Sequence, residues 1–389
     1  MMKRRDFVRG LVGMTTVSGI LTSQGCVQTG GPGSRASSMI ADGFSQRQYQ
    51  DAIVIDALAS PIQFNIPQRD FPLTSSDLES VKASGITALN LTVNRRATSE
   101  LSSFEATLAR MAQWEREIDT HPDVFSRVRS VADIRAAKQN ATLGLIHGFQ
   151  DTVPFGEDLQ RIDTFHGLGV RIAQLTYNIG NKVGSGSLVP TDSGLTEFGR
   201  QVVERMDDLG MLVDLSHCGP QTTIDGIRAS RMPVAITHSG SNTIFKHPRN
   251  KDDSVLREMA DRGGVLGIYL MPFLNPAGPP DIDDMITHLE YAVNLCGEDH
   301  VGIGSDQGIV PLDIAGDFPA NFERVSASRQ AAGIAAPRED IPPYLPELNN
   351  PQRMQIIAER LADRGYSIRL IEKILGDNFL RLFEEVWEA

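Results

Sequence analysis

The sequence predicts an α/β fold of the (β/α)8 TIM-barrel type, closed by C-terminal helices. Eight short β-branched runs alternate with amphipathic helical stretches from Asp51 onward, the pattern of βα units on a parallel sheet. No G-x-G-x-x-G follows the first run, which argues against a doubly wound dinucleotide-binding sheet. The chain has 389 residues, which allows one large barrel or two ordinary domains at roughly 100 to 200 residues each.

The chain begins with an address. Lys3-Arg4-Arg5-Asp6-Phe7 precedes a weakly apolar run from Leu11 to Leu21, and a run that short cannot span a bilayer, which takes about 20 residues. A charged start with a short apolar core is the pattern of an export signal, and the paired arginines favour the twin-arginine route to the periplasm. Residues 1–26 are therefore assigned to the leader, and the Gly/Ser/Gln-rich residues 27–45 to a flexible linker. Cys26 is a candidate lipid-attachment site, so a membrane is expected as a partner only if the chain is lipidated there.

The barrel is expected over residues 46–389. Its strands are read at Ala52 to Leu58, Ile86 to Val93, Leu143 to Gln150, Val170 to Tyr177, Met211 to His217, Pro233 to Ser239, Gly264 to Leu270 and His300 to Asp306. Apolar residues recurring at three and four predict helices over Phe104 to Ile118, Leu195 to Leu209 and Ile282 to Leu295, with Gln352 to Arg364 and Ile368 to Val386 at the end. Residues 309–351 are Pro-rich and read as a long loop, which after the eighth strand would lie over the active face as a lid.

Composition narrows the function. The formal charge of −12 would repel phosphate backbones, so nucleic acid is not expected as a partner. Hydrophobic residues at 41% and charged residues at 22% fit an ordinary globular chain with a sizeable core. Three cysteines, Cys26, Cys218 and Cys296, cannot make a disulfide framework or a cysteine-based zinc site.

Barrel enzymes place their chemistry at the C-terminal ends of the strands, and the polar residues of this sequence fall there. The fifth run ends in Asp214-Leu215-Ser216-His217, the sixth in Thr237-His238-Ser239 and the eighth in Gly304-Ser305-Asp306. Parallel strands lie about 4.8 Å apart, so His217 and His238 could share one metal ion. Asp306 could then hold the attacking water or take its proton. A lone strand-end histidine is usually a packing residue; two on adjacent strands with an aspartate on the last strand predict a shared site.

These strings, followed by His247-Pro248-Arg249-Asn250, by His300-Val301-Gly302-Ile303-Gly304-Ser305-Asp306 and by Ile374-Leu375-Gly376-Asp377-Asn378-Phe379, resemble in their order the membrane (renal) dipeptidase family of metallopeptidases. The resemblance spans nearly the whole chain after the leader. It implies a TIM barrel, a binuclear zinc site, cleavage of dipeptides and often a homodimer. Position by position, it makes His217 and His238 ligands of one zinc and Asp306 the catalytic carboxylate. Arg249, with Asn250 beside it, would bind the substrate's carboxylate, for which a guanidinium is well suited.

The departures fall on the other zinc. Where the family opens with Asp-Gly-His-Asn-Asp, this chain has Asp56-Ala57-Leu58-Ala59-Ser60. The bridging glutamate is replaced by Gln150, and a strand-four histidine at the scissile group by Tyr177, which can still donate a hydrogen bond. At most one zinc ion is thus expected per chain, or none. Gln150 and Asp56 are expected to line the site. His147 and Cys218 read as packing residues, and the Gly180 to Gly186 loop lacks the lysine of a phosphate cradle. Two readings follow: a metal-dependent hydrolase of a peptide-like molecule with a free carboxylate, or a catalytically lapsed relative that binds such a molecule without cleaving it.

Overall fold

Ten strands form one sheet in the computed structural model, which describes residues 44–63 and 71–388. The expected leader, Cys26 and nearly all of the expected linker lie outside the described residues. The strands are β1 Ile55–Ser60, β2 Ala88–Thr92, β3 Phe125–Arg127, β4 Leu143–Phe149, β5 Val170–Gln174, β6 Leu212–Asp214, β7 Ala235–Ser239, β8 Val265–Ile268, β9 Val301–Ile303 and β10 Gln307–Gly308. Neighbours run β10-β1-β2-β4-β5-β6-β7-β8-β9, every pair parallel. Because β10 follows shortly after β9 along the chain, the sheet closes on itself: β9 pairs with β8 and β10 with β1. This is the (β/α)8 type of fold. The extra strand β3, which the sequence did not reveal, pairs with β4 outside the ring order.

The ring is filled in layers because side chains two apart on a strand share a face. Ile55, Ala88, Ile146, Ile172, Leu212, Ala235 and Val265 meet in one apolar cluster with Phe379, Leu382 and Phe383 of the terminal helix Asn378–Trp387. A cluster that takes one residue from nearly every strand must lie inside the ring, and the helix stoppers its end. Two positions further along, the same face carries Asn90, Gln174, Asp214 and Thr237, all buried. Gly267 and Gly304 leave room for Thr237: a Cβ at either would stand 2.0 or 1.9 Å from its carbonyl oxygen. The interior thus passes from apolar to polar toward the strands' C-terminal ends.

The expected helices form, with ends shifted by one or two residues. Ser102 caps Ser103–Thr120 and Asp281 caps Ile282–Cys296, each with its third residue returning the bond as a capping box. The last expected helix is broken into Ile368–Glu372, a wide turn over Lys373–Asp377 and Asn378–Trp387. Gly376 explains the break, since a Cβ there would lie 2.3 Å from the Ile53 carbonyl; the backbone itself packs on the entry to β1. The 309–351 segment is not a bare loop. It contains the helix Phe318–Ala331, whose Pro319 occupies the first turn where proline is tolerated. Among the described residues no helix is long and apolar enough to cross a membrane, and Cys218 and Cys296 are free thiols.

Asp56 proves to be a strut. Ser305 donates to it through backbone N–H (2.7 Å) and Oγ (2.6 Å), and the buried Arg353 guanidinium lies 3.5 Å away. Arg353 in turn donates to the Gly308 carbonyl at 2.6 Å. The cluster ties β1 to the closing strand and to the helix Arg353–Asp363. Burial raises the Asp56 pKa despite Arg353 and Ser305, so losing the cation would leave an expensive charge. Arg353→Met is expected to lower unfolding free energy by about 3 to 5 kcal/mol. Urea titration of the two proteins checks this, and an unchanged midpoint would contradict it.

Candidate active site

His217 follows β6 and His238 lies within β7, so their backbones are set by adjacent strands of the ring. The rings lie 4.9 Å apart, centre to centre. Their tautomers follow from the partners of Nδ1. His217 Nδ1 is 2.6 Å from Asn178 Oδ1. That oxygen is assigned because the Asn178 amide nitrogen donates to the Ile334 carbonyl (2.9 Å) and to Glu339 (3.4 Å). Nδ1 of His217 therefore carries the proton. Thr237 Oγ1 spends its hydrogen on Asp214 (2.7 Å), so it can only accept from His238 Nδ1 at 2.8 Å. Both imidazoles thus present a bare Nε2, buried and without a partner. Burial, and after it the positive charge of Arg249, pushes both pKa values well below the usual histidine range, so the lone pairs stay available.

Asp214 anchors this arrangement. Its carboxylate accepts from the N–H and Oγ of Ser216 and from the N–H and Oγ1 of Thr237, locking β6 against β7. Burial raises its pKa. In the sequence Asp214 stands out only as part of a string and Asn178 not at all, although both sit within a few residues of motif positions. Such polar partners of imidazoles fix ring orientation and tautomer.

A cavity of about 380 Å³ opens over these strand ends. Its barrel side carries Tyr177, His217, Arg249, Met271, Pro272, Phe273 and Asp306; the 309–351 segment supplies Phe322, Val325, Ser326, Arg329, Glu339, Ile341 and Pro343. His238 stands behind His217, completely buried and off the cavity wall. Tyr177 stacks on His217, with ring centres 4.2 Å apart and 23° between planes. Arg329 donates to its hydroxyl at 3.3 Å, and enclosure by the walls raises the phenol's pKa. Asp306 adopts φ 57°, a left-handed backbone that aspartate and asparagine tolerate better than most residues.

Arg249 is almost wholly buried; one amino group donates to the His238 carbonyl at 3.3 Å, and its Nε has no partner. His247 positions it, accepting from the Arg249 backbone N–H at 3.1 Å while donating through Nε2 to the Pro337 carbonyl at 2.9 Å. The 309–351 segment is thus hydrogen-bonded to the supports of both His217 and Arg249, through Asn178 and His247. Asn178→Asp keeps an acceptor for His217 but offers no donor to Ile334. Faster proteolytic cutting within residues 309–351 is therefore expected, and a cutting rate equal to wild type would count against this tether.

Three expected site residues lie elsewhere. Asp56 is engaged by Ser305 and Arg353, as described above. Asn250 is committed to the scaffold: its amide donates to the carbonyls of Phe245 (2.7 Å) and Phe273 (3.0 Å), and its oxygen accepts from Tyr269. Gln150 is absent from the cavity lining, and its backbone bonds to Asn94 and Gln174. His147 faces Glu115 at 4.0 Å, and Cys218 is buried, its thiol pushed up to about 11.

Among the described residues no group of three or more His, Cys, Asp or Glu side chains gathers as a metal-ligand set. The donors do not fit a pair of ions, because no further His, Cys, Asp or Glu gathers with His217 and His238, Asp56 is held by Ser305 and Arg353, and Gln150 is off the cavity lining. The bare Nε2 atoms of His217 and His238 fit one ion. They make a weak site, since catalytic zinc usually has three protein ligands.

Comparison with known proteins agrees with the fold and shows the family. Residues 44–332 match the model of the membrane dipeptidase family, peptidase family M19. The chain is 30% identical over 270 residues to a Klebsiella pneumoniae protein described as uncharacterized, in the pqqA 5' region, covering 67% of this chain and 88% of that one. It is 26% identical over 289 residues to dipeptidase tcpJ of Claviceps purpurea, covering 73% of this chain and 61% of that one. Among solved structures, an amidohydrolase from Pseudomonas aeruginosa superposes with a TM-score of 0.75 at 32% identity, over 88% of this chain and 99% of the other. A metallopeptidase from Rhodobacter sphaeroides, solved with a phosphinate mimic of L-Ala-D-Ala, shares the fold at 19% identity and a TM-score of 0.69, over 87% of this chain and all of the other (100%). The chain belongs to the membrane dipeptidase family and is by that membership a hydrolase of the metallodipeptidase type.

Proposed function

We propose that the protein hydrolyses a dipeptide, or a related small amide bearing a free carboxylate, in the cavity over β6 and β7. The observation that carries the proposal is the meeting in that cavity's wall of a strand-end carboxylate, Asp306, a buried guanidinium with an unused Nε, Arg249, and the imidazole of His217, with His238 behind it and both rings presenting a bare Nε2. His217 and His238 would hold a single divalent ion, zinc being suited to imidazole. When bound, such an ion polarises the scissile carbonyl and acidifies water.

The chain's own residues would do the remaining work. Arg249 grips the carboxylate and sets the register of the scissile bond. Asp306 takes the proton of the attacking water and returns it to the departing amine. Tyr177, whose hydroxyl already accepts from Arg329, keeps its own proton free to donate to the oxygen that becomes negative. Asn178 and the Asp214–Thr237 pair hold the imidazoles. Export through the twin-arginine route is part of the same proposal and rests on Lys3-Arg4-Arg5-Asp6-Phe7 with the apolar run after it.

A second reading is favoured by Leu58, Ser60 and Gln150: the cavity binds a peptide-like ligand without turning it over. Assay of a dipeptide library with and without added zinc, beside calorimetric binding of the same compounds, separates the two. Zinc-dependent release of free amino acids supports hydrolysis, whereas binding with no release supports the second reading.

A further inference from the structure

The helix Phe318–Ala331 is oddly placed for an ordinary surface helix. Ser326 is its one buried residue, and its apolar residues Phe322 and Val325 belong to neither core cluster. Instead they lie three apart on one face, with Arg329 four further on, and all three line the cavity. Ile341, from the same chain segment, joins them. On the barrel side the cavity is walled by the buried Met271 and Phe273. The helix's apolar stripe is therefore turned toward a hollow and packs on no core.

The charges are distributed the other way. The roof's cation, Arg329, is neutralised by Glu339 at 2.7 Å and so offers little to a charged side chain. Arg249 lies at the barrel side with its Nε unused, and Asp306 is on the same side. A ligand that suits both sides presents a carboxylate to the barrel and an apolar group to the roof. A charged side chain directed at Phe322, Val325 and Ile341 would lose its water with no counter-charge to replace it.

We infer that this cavity selects dipeptide-like molecules carrying a bulky apolar side chain, and that Phe322, Val325 and Ile341 of the 309–351 segment read that side chain. This rests on the hydrolase reading for its turnover but not for its binding. Burying a whole leucine or phenylalanine side chain is expected to favour its dipeptides over the glycine analogue by about ten-fold or more. The panel is Ala-Gly, Ala-Asp, Ala-Lys, Ala-Leu, Ala-Phe and Phe-Ala, measured on the full-length protein both for calorimetric Kd and for kcat/KM.

The apolar members should lead in both, with Ala-Asp and Ala-Lys weakest. Phe322→Ala combined with Ile341→Ala should shrink the Ala-Phe to Ala-Gly ratio to within about three-fold, a ratio that does not depend on how much of the variant is folded. Apolar-selective binding without turnover would uphold the inference and overturn hydrolysis. Turnover with a flat preference, or a preference indifferent to both substitutions, would overturn the inference and leave hydrolysis standing. Neither binding nor turnover of any member would overturn both.

Discussion

Asp306→Asn is expected to lower kcat/KM on any cleaved dipeptide by about 10²- to 10⁴-fold, the usual contribution of a positioned general acid–base group. The substitution is a clean one. Position 306 sits at φ 57°, where asparagine is as much at home as aspartate, and its backbone N–H donates to the Leu58 carbonyl at 2.8 Å whatever the side chain. Closure of the ring between β1 and the last strand should therefore survive, and thermal unfolding should stay close to wild type. The variant exchanges the carboxylate for an amide of the same size and so removes the proton acceptor. Steady-state assay alongside a melting curve tests this. Full activity in the variant would remove Asp306 from the chemistry, and an inactive variant that also melts early would assign it to the fold instead.

His217→Ala and His238→Ala are expected to abolish zinc-dependent turnover, each by at least the 10²- to 10³-fold that loss of one transition-state contact typically costs. The two should differ in a second respect. His217 lines the cavity and supports Tyr177, so its loss should also weaken ligand binding. His238 is buried behind it and touches no cavity space, so its loss should reduce metal affinity with less effect on binding of the peptide itself. Calorimetry with zinc alone and with a dipeptide alone separates these effects. Equal loss of peptide binding in both variants would contradict the assignment of His238 to the ion.

Much of this was legible in the sequence because periodicity is local. Each ring strand except the two-residue β10 overlaps one of the eight β-branched runs, and polar residues that end three of those runs lie at one end of the barrel. What escaped depends on distant partners. Asp56 sits at a motif position, yet its partners Ser305 and Arg353 come from the far end of the chain, and only folding shows that they consume it. Asn250 likewise follows Arg249 in a site motif, but its amide is spent on the carbonyls of Phe245 and Phe273. Asn178 was hidden for the opposite reason: no motif names it, and its place under His217 depends on Ile334 and Glu339 holding the amide in one orientation. The helix Phe318–Ala331 was obscured by the surrounding prolines, and its apolar stripe is short because it faces a cavity and not a core.

Tyr177 marks where sequence and structure agree on position but differ in emphasis. The sequence offers it as a hydrogen-bond donor in place of a histidine. The structure adds Arg329, from the 309–351 segment, at its hydroxyl, and His217 against its face. The barrel and the 309–351 segment thus meet at one phenol, and both line the same cavity.

Elemental analysis of the purified protein, with turnover measured on the same sample before and after chelation, tests the central claim most directly. The expected result is no more than one equivalent of zinc per chain, lost on chelation together with dipeptide hydrolysis and restored with it. Two equivalents per chain would contradict the expectation from Leu58, Ser60 and Gln150 that a second ion is not held, and hydrolysis that persists in metal-free protein would contradict the role proposed for His217 and His238.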